Sequence, residues 1–167
     1  MKKSNIIIRV DDRLVHGQVI TGWVKLLDLN NIIVANDDIL HDKTRMQIMK
    51  LPVPINVHIE FLSISSAIES FKKNKWKKYK TIMLFESPKD AYEFVKEVDN
   101  TTSMNIGGLH FKDSRVQITH NLAVNHEDKE YLIKISELNI KLEGRALPSE
   151  DPYDVIKVLE KDEFSNI

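Results

Sequence analysis

Along the chain, short runs of β-branched and other apolar residues recur, and each is followed by a longer stretch with apolar positions three and four apart. The first run, 6–10, leads into a helical pattern over 17–29, where Val19, Ile20, Trp23, Val24 and Leu27 fall on one stripe. The second, 31–37, is followed by a helix through residue 49, with Asn36 as its N-cap. The third run covers 55–63 and its helix 65–73; the fourth covers 79–86. Ser87, Pro88 and Asp90 then give a strong helix start, because a capping hydroxyl, a ring that needs no N–H and a first-turn acid coincide. Runs at 103–111 and 115–124 precede a helix over 126–138 behind Asn125, and a last run at 140–147 precedes a short helix over 152–160 behind Asp151.

Strand and helix thus alternate nearly throughout, and apolar runs without polar alternation are the pattern of strands covered on both faces. The predicted fold class is α/β, a single-domain three-layer α/β/α sandwich over 1–167 with a mainly parallel central sheet. In such sheets ligands bind outside the carboxyl ends of the strands. The segment leaving the first strand therefore becomes the place to look for chemistry. The lysine-rich stretch 72–80, KKNKWKKYK, reads as a solvated connection before the fourth strand, with a docking patch for an acidic partner as the alternative.

Composition narrows the function classes. With 167 residues, one core suffices. A net charge of −1 argues against a general nucleic-acid or membrane-surface binder, so binding must be local. Without cysteine there is no disulfide, thiolate metal site or cysteine nucleophile. The opening apolar run is too short for a secretory signal, and a cytoplasmic location is expected.

The first strand runs into RVDDRLVHGQV, residues 9–19. His16 stands where the helix begins, an end with unpaired N–H groups and partial positive charge. Arg13 lies three residues before it, with a planar fork suited to two phosphate oxygens. Imidazole is nucleophilic at neutral pH, so the pair describes a phosphorylatable ring with its charge neutraliser beside it. Asp11 or Asp12 could hold one ring nitrogen and expose the other, or orient Arg13. A histidine at a helix start can equally be a capping or surface residue, and chemistry alone leaves both readings open.

Rival constellations find less support. A receiver-like module would use Asp11 and Asp12 to bind a cation, but the third run carries no terminal Asp as acceptor, and Glu60 lies inside it, pointing toward a helix layer. A metal site from His16, His41 and the acids has no ligand spacing in its favour. A dinucleotide fold would need a glycine-rich turn after the first strand, which is missing. Asn36, Asp37 and Ser87 belong to the same carboxyl edge and are candidate pocket-rim residues, as are Gly107 and Gly108, which could equally form a plain tight turn. His110 could face the same rim, but an ordinary strand-end histidine is the favoured reading.

RVDDRLVHGQV resembles the active-site signature of the IIB component of the mannose/fructose/sorbose-type sugar phosphotransferase system. NIIVANDDI, NIGGLHF and QITHNLAVNHEDKEYLIKISELNIKLEGRALPSED are similar to later blocks of that family in order and spacing, so the resemblance covers essentially the whole chain. The resemblance implies that His16 accepts a phosphoryl group, usually on Nδ1, from a phosphohistidine of the IIA component and hands it to a sugar carried by membrane components IIC and IID. It further implies that Arg13 contacts the phosphate and that backbone N–H groups from Val15 through Gly17 to Gln18 complete the cradle, beside the supporting acids Asp11 and Asp12 read above. No cofactor, metal or nucleic acid is implied, and the protein would work in the cytoplasm, transiently at the inner membrane face. One position departs from the pattern: TGW stands here, with Gly22, where mannose-type members have TRW, which could alter partner or sugar choice. Gly22 also weakens a helix by about 1 kcal/mol against alanine unless close packing requires it.

Overall fold

The first apolar run forms β1 (Ile6–Asp11), and its alternation divides the molecule into layers: Ile8 and Val10 enter one core while Arg9 faces the Trp23 indole on the other side. The computed structural model describes residues 5–112, 114–161, 164 and 167. Further strands are β2 (Asn31–Ala35), β3 (His58–Leu62), β4 (Thr81–Phe85), β5 (Ser103–Gly108), β6 (Val116–Thr119), β7 (Leu122–Val124), β8 (Lys141–Gly144) and β9 (Tyr153–Asp154). Seven of them form one sheet in the order β3-β2-β4-β1-β5-β8-β9, parallel except for β9, and β6 pairs with β7 as a separate hairpin. The helices are α1 (Lys43–Lys50), α2 (Ile64–Lys72), α3 (Pro88–Val95), α4 (His126–Glu137) and α5 (Val155–Leu159).

One sheet face packs against α2 to α5 through Ile33, Met83, Phe85, Phe94, Ile106 and Leu132. The other is covered by the segment after β1, the turn at 38–41 and α1, through Val19, Trp23, Ile32, Ile39, Leu84 and Met49. Helices on both faces of a mainly parallel sheet are the expected α/β sandwich. No described helix is long and apolar enough to cross a membrane.

Local boundaries differ from the sequence reading in instructive ways. The stripe over 17–29 is not an α-helix throughout: Val19–Val24 is a π-helix, with Lys25 N donating to Ile20 O and Leu29 N to Val24 O. The wider turn carries Leu27 off the buried stripe, leaving it 38% exposed, and buries Leu29 instead. Asn36 is not the N-cap of the helix: its Oδ1 accepts from Ile39 N in a 3-10 turn at Asp38–His41 whose N-cap position is Asp37, and Asp42 caps α1 by accepting from Arg45 N. β3 starts at His58 rather than 55, because Ile55 is fully exposed behind Pro54. The run 115–124 is two strands folded back on each other.

The last helix starts three residues late. Asp154, not Asp151, accepts from Ile156 N and Lys157 N, because Tyr153 is held in β9 against β8, its ring lying where a Cβ on Gly144 would be. Gly22 answers its own question: a Cβ there would come within 2.4 Å of Leu147 Cδ2, so close packing occupies that space.

Within 72–80 the lysines are exposed, but Trp76 is 1% exposed and its Nε1 donates to Glu60 Oε1. Glu60 therefore faces this connection, where Lys75 also pairs with it. Trp76 is an anchor within the solvated stretch. Trp76→Ala is expected to cost about 3–5 kcal/mol in urea unfolding, while Lys77→Ala and Lys78→Ala stay within about 0.5 kcal/mol.

Candidate functional site

At the carboxyl end of β1 the pairing with β5 slips, so that Asp11 lies opposite Gly108. The chain then turns on a hydrogen bond from Leu14 N to Asp11 O. Leu14 is left-handed, φ 56°, an uncommon conformation for a branched residue, and its side chain is wholly buried. Burial of Leu14 and Val15 in the core thus holds the loop in a shape its backbone would not prefer. Helical turns begin at Gly17, with Ile20 N donating to His16 O.

Asp11 is fully buried, and its two oxygens take donors from β1 and from this loop. Its Oδ1 accepts from Arg13 N at 3.1 Å; its Oδ2 accepts from Arg9 Nη2 at 2.8 Å and lies 3.1 Å from His16 Nε2. Burial alone would push the Asp11 carboxyl up, but the His16 hydrogen bond, the Arg9 charge and the Arg13 N–H outweigh it and hold the group below the ordinary carboxylate range. An ionised carboxylate can only accept, so Nε2 is the ring nitrogen that donates, and in the neutral ring the lone pair is on Nδ1. Nδ1 makes no hydrogen bond among the described residues, and the His16 side chain is 17% exposed.

Asp12 serves the opposite side. Its Oδ1 lies 2.6 Å from His110 Nδ1, and its Oδ2 accepts from His110 N and, at 2.7 Å, from Arg115 Nη1. Arg115 in turn donates through Nε to Asp128, which closes the capping box of α4 with Asn125. Burial would raise Asp12, but His110 and Arg115 bring it below its usual value; Arg115 is held up by Asp128 and Asp12 against the same burial. Asp12 therefore neither holds the His16 ring nor orients the Arg13 side chain.

Arg13 and Gln18 lie toward solvent, 3.4 Å apart between Nη2 and Oε1. A Cβ on Gly17 would meet nothing within 4 Å, so the helix start beside His16 is open. The other rim candidates do different work. Gly107 is no rim residue: a Cβ there would come within 1.8 Å of Arg9 Cζ, so it makes room for that guanidinium. Gly108 does lie at the site, a Cβ there falling 3.4 Å from both Asp11 oxygens and 3.1 Å from His110 Cε1. Asn36 donates to Glu86 and Asp90, Asp37 accepts from Ile64 N, and Ser87 caps α3. No hydrogen bond joins these three to 11–18 among the described residues. Burial, aided by Glu86 and Asp37, raises the Asp90 carboxyl in that neighbouring cluster.

Ligand atoms of Asp11, Asp12 and His110 lie within 4.8 Å of one another. However, Arg9 and Arg115 already supply the countercharge a cation would bring. The loop suits transfer of an anionic group to an oriented imidazole better than cation binding. Sequence reasoning missed Arg9 and Arg115. Arg9 was visible as the one charge inside the otherwise apolar run 6–10; Arg115, 103 residues from Asp12, gave no local signal.

A family model described as "PTS system sorbose subfamily IIB component" matches residues 5–166. The chain is 32% identical to the "PTS system fructose-specific EIIB component" of Bacillus subtilis, over 92% of this chain and 94% of that one. It is 28% identical over 92% of its length to the "PTS system mannose-specific EIIAB component" of Escherichia coli, of which the match covers 47%. Among solved structures, the IIBSor domain of the sorbose permease from Klebsiella pneumoniae superposes with a TM-score of 0.85 at 26% identity, covering 92% of this chain and 95% of that one.

Because Asp11 and Asp12 both titrate below the unfolded carboxylate value of about 3.9, the stability they contribute is complete above that value. It is lost as pH falls through their folded values, so urea stability should decline below about pH 4. Asp12→Ala, which leaves Arg115 paired with Asp128 but without its second carboxylate, should cost about 1–3 kcal/mol at neutral pH and flatten that acid limb.

Proposed function

The chain belongs to the sorbose subfamily of phosphotransferase-system IIB components, and on that premise we propose that it is a phosphocarrier acting through His16 Nδ1. IIB components of this type are phosphotransferases of sugar uptake. In the proposed relay, Nδ1 attacks the phosphorus of a phosphohistidine on a IIA component; the donor N–P bond breaks as the new one forms. A sugar hydroxyl presented by the membrane components IIC and IID then attacks, forming an O–P bond and breaking the bond to Nδ1, while the hydroxyl proton passes to the freed imidazole.

The observation that carries this reading is the Asp11–His16 hydrogen bond, because it commits Nε2 to the carboxylate and leaves Nδ1 as the nucleophile. Arg13 would neutralise the phosphoryl oxygens, and backbone N–H groups from Val15 to Gln18 would cradle them at the open face beside Gly17. A phosphohistidine is already activated, so positioning and charge stabilisation suffice. A IIA partner accords with the Escherichia coli relative that carries A and B components in one chain. The protein is read as one IIB domain of the cytoplasm that meets the membrane transiently. Relatives bearing the names fructose, sorbose and mannose support a sugar as the substrate class without choosing one. The contact of Leu147 with Gly22, where mannose-type members place arginine, makes this corner the proposed point of divergence in partner or sugar choice.

Mixing the protein with phospho-IIA should add the mass of one phosphoryl group, acid-labile and base-stable. His16→Ala and His16→Gln should take up none, and Arg13→Ala should slow uptake by roughly 100-fold with an unchanged unfolding midpoint. An unmodified wild-type mass refutes the relay.

A further inference from the structure

Arg9 is a cation wholly inside the protein, and its surroundings are built around it. Its guanidinium lies 4.9 Å from the centroid of the Trp23 ring, with Gly107 leaving the space it fills. Nη1 donates to Asn105 Oδ1 and, at 3.4 Å, to Arg145 O; Nη2 donates to Asp11 Oδ2 at 2.8 Å. Asn105 is itself oriented from behind, because its Nδ2 donates to Glu143 O at 3.1 Å and to Arg145 O at 3.2 Å, which turns its carbonyl oxygen toward Arg9. The Trp23 indole is pinned by a hydrogen bond from Nε1 to Ala146 O at 2.8 Å. A continuous polar chain therefore runs from the β8 end backbone through Asn105, Arg9 and Asp11 to the His16 ring.

A burial this complete is costly, and Arg9 Nε finds no partner among the described residues. Among the described residues, the one carboxylate Arg9 reaches is Asp11, which already serves His16 and the Arg13 N–H. A packing role would be met as well by an apolar side chain against Trp23. What the fork adds is direction: it fixes one oxygen of Asp11, and that oxygen receives His16 Nε2.

We propose that Arg9, oriented by Asn105, is a positioning residue that sets the tautomer and angle of the His16 ring so that Nδ1 meets the incoming phosphoryl group. This rests on the reading of His16 as the acceptor. Lysine at position 9 would keep the charge but lose the second arm, so it could bind Asn105 or Asp11 without fixing one relative to the other. Leucine at position 105 would keep Arg9 and the local volume while removing the side-chain oxygen that orients the guanidinium, leaving it only the long bond to Arg145 O on that side.

The test joins nitrogen-15 NMR of the His16 imidazole, on protein without a phosphoryl group, to the rate of phosphoryl uptake from phospho-IIA. In the wild type the ring should be held as the Nε2–H tautomer. In Arg9→Lys and Asn105→Leu it should become a mixture of both tautomers, and uptake should slow on the order of 100-fold, the scale of a misplaced reacting group. Amide signals away from the site should be unchanged. A folded variant of either kind with the wild-type tautomer and rate overturns the proposal; if Arg9→Lys fails to fold, Asn105→Leu decides. A wild type that takes no phosphoryl group overturns the acceptor reading instead, and the tautomer measurement then judges Arg9 separately, a shift supporting its role and no shift refuting it.

Discussion

One buried negative charge organises this protein: the carboxylate of Asp11. Placed inside the molecule without partners it would be prohibitively unfavourable. It is tolerated because a guanidinium, a backbone N–H and an imidazole converge on its two oxygens. Each partner brings its own requirement. Arg9 needs the absent side chain of Gly107 and the face of Trp23, and Trp23 needs the carbonyl of Ala146. The Arg13 N–H needs the tight reversal that forces Leu14 into a left-handed backbone. The unusual features of this layer trace back to seating one anion beside one ring.

The doubling of the acid has a similar cause. Successive residues leaving a strand point to opposite faces. Asp11 accordingly addresses the side of Trp23 and His16, and Asp12 addresses the side of α4, where Arg115 carries the connection on to Asp128. The two carboxylates are not a pair sharing one task. One orients the ring and the other fastens the loop's far side to His110 and Arg115 and, through Arg115, to the first turn of a helix in the opposite layer. Both are kept ionised by donors that the protein itself supplies, the histidine hydrogen bonds foremost and the guanidinium groups after them.

Much of this was legible in the chain before any coordinates, and the reasons are physical. Parallel strands covered on both faces leave apolar runs, and capping groups such as Ser87 and Asn125 act within four residues, so local reading finds them. The π-helix after β1 was hidden because both windings bury nearly the same stripe, differing only at Leu27 and Leu29. Asp151 and Asp154 are equally good caps by type; what decides between them is Tyr153 lying on Gly144, a tertiary contact. The site divides along the same line. His16, Arg13 and the acids lie within six residues, and their chemistry could be read directly. Arg9 meets Asn105 across 96 positions, and no local pattern encodes that encounter.

The π-helical turn at Val19–Val24 also fixes a phase. An ordinary α-helix advances about 100° per residue, so one residue more or fewer between Ile20 and Lys25 would rotate everything beyond it by that angle. With the extra residue in place, the indole of Trp23 arrives under Arg9 while the chain still reaches Leu29 facing inward. This length of chain is therefore indexed like a gear: a single-residue deletion here would leave composition and polarity almost untouched, yet turn the indole away from the cation it covers.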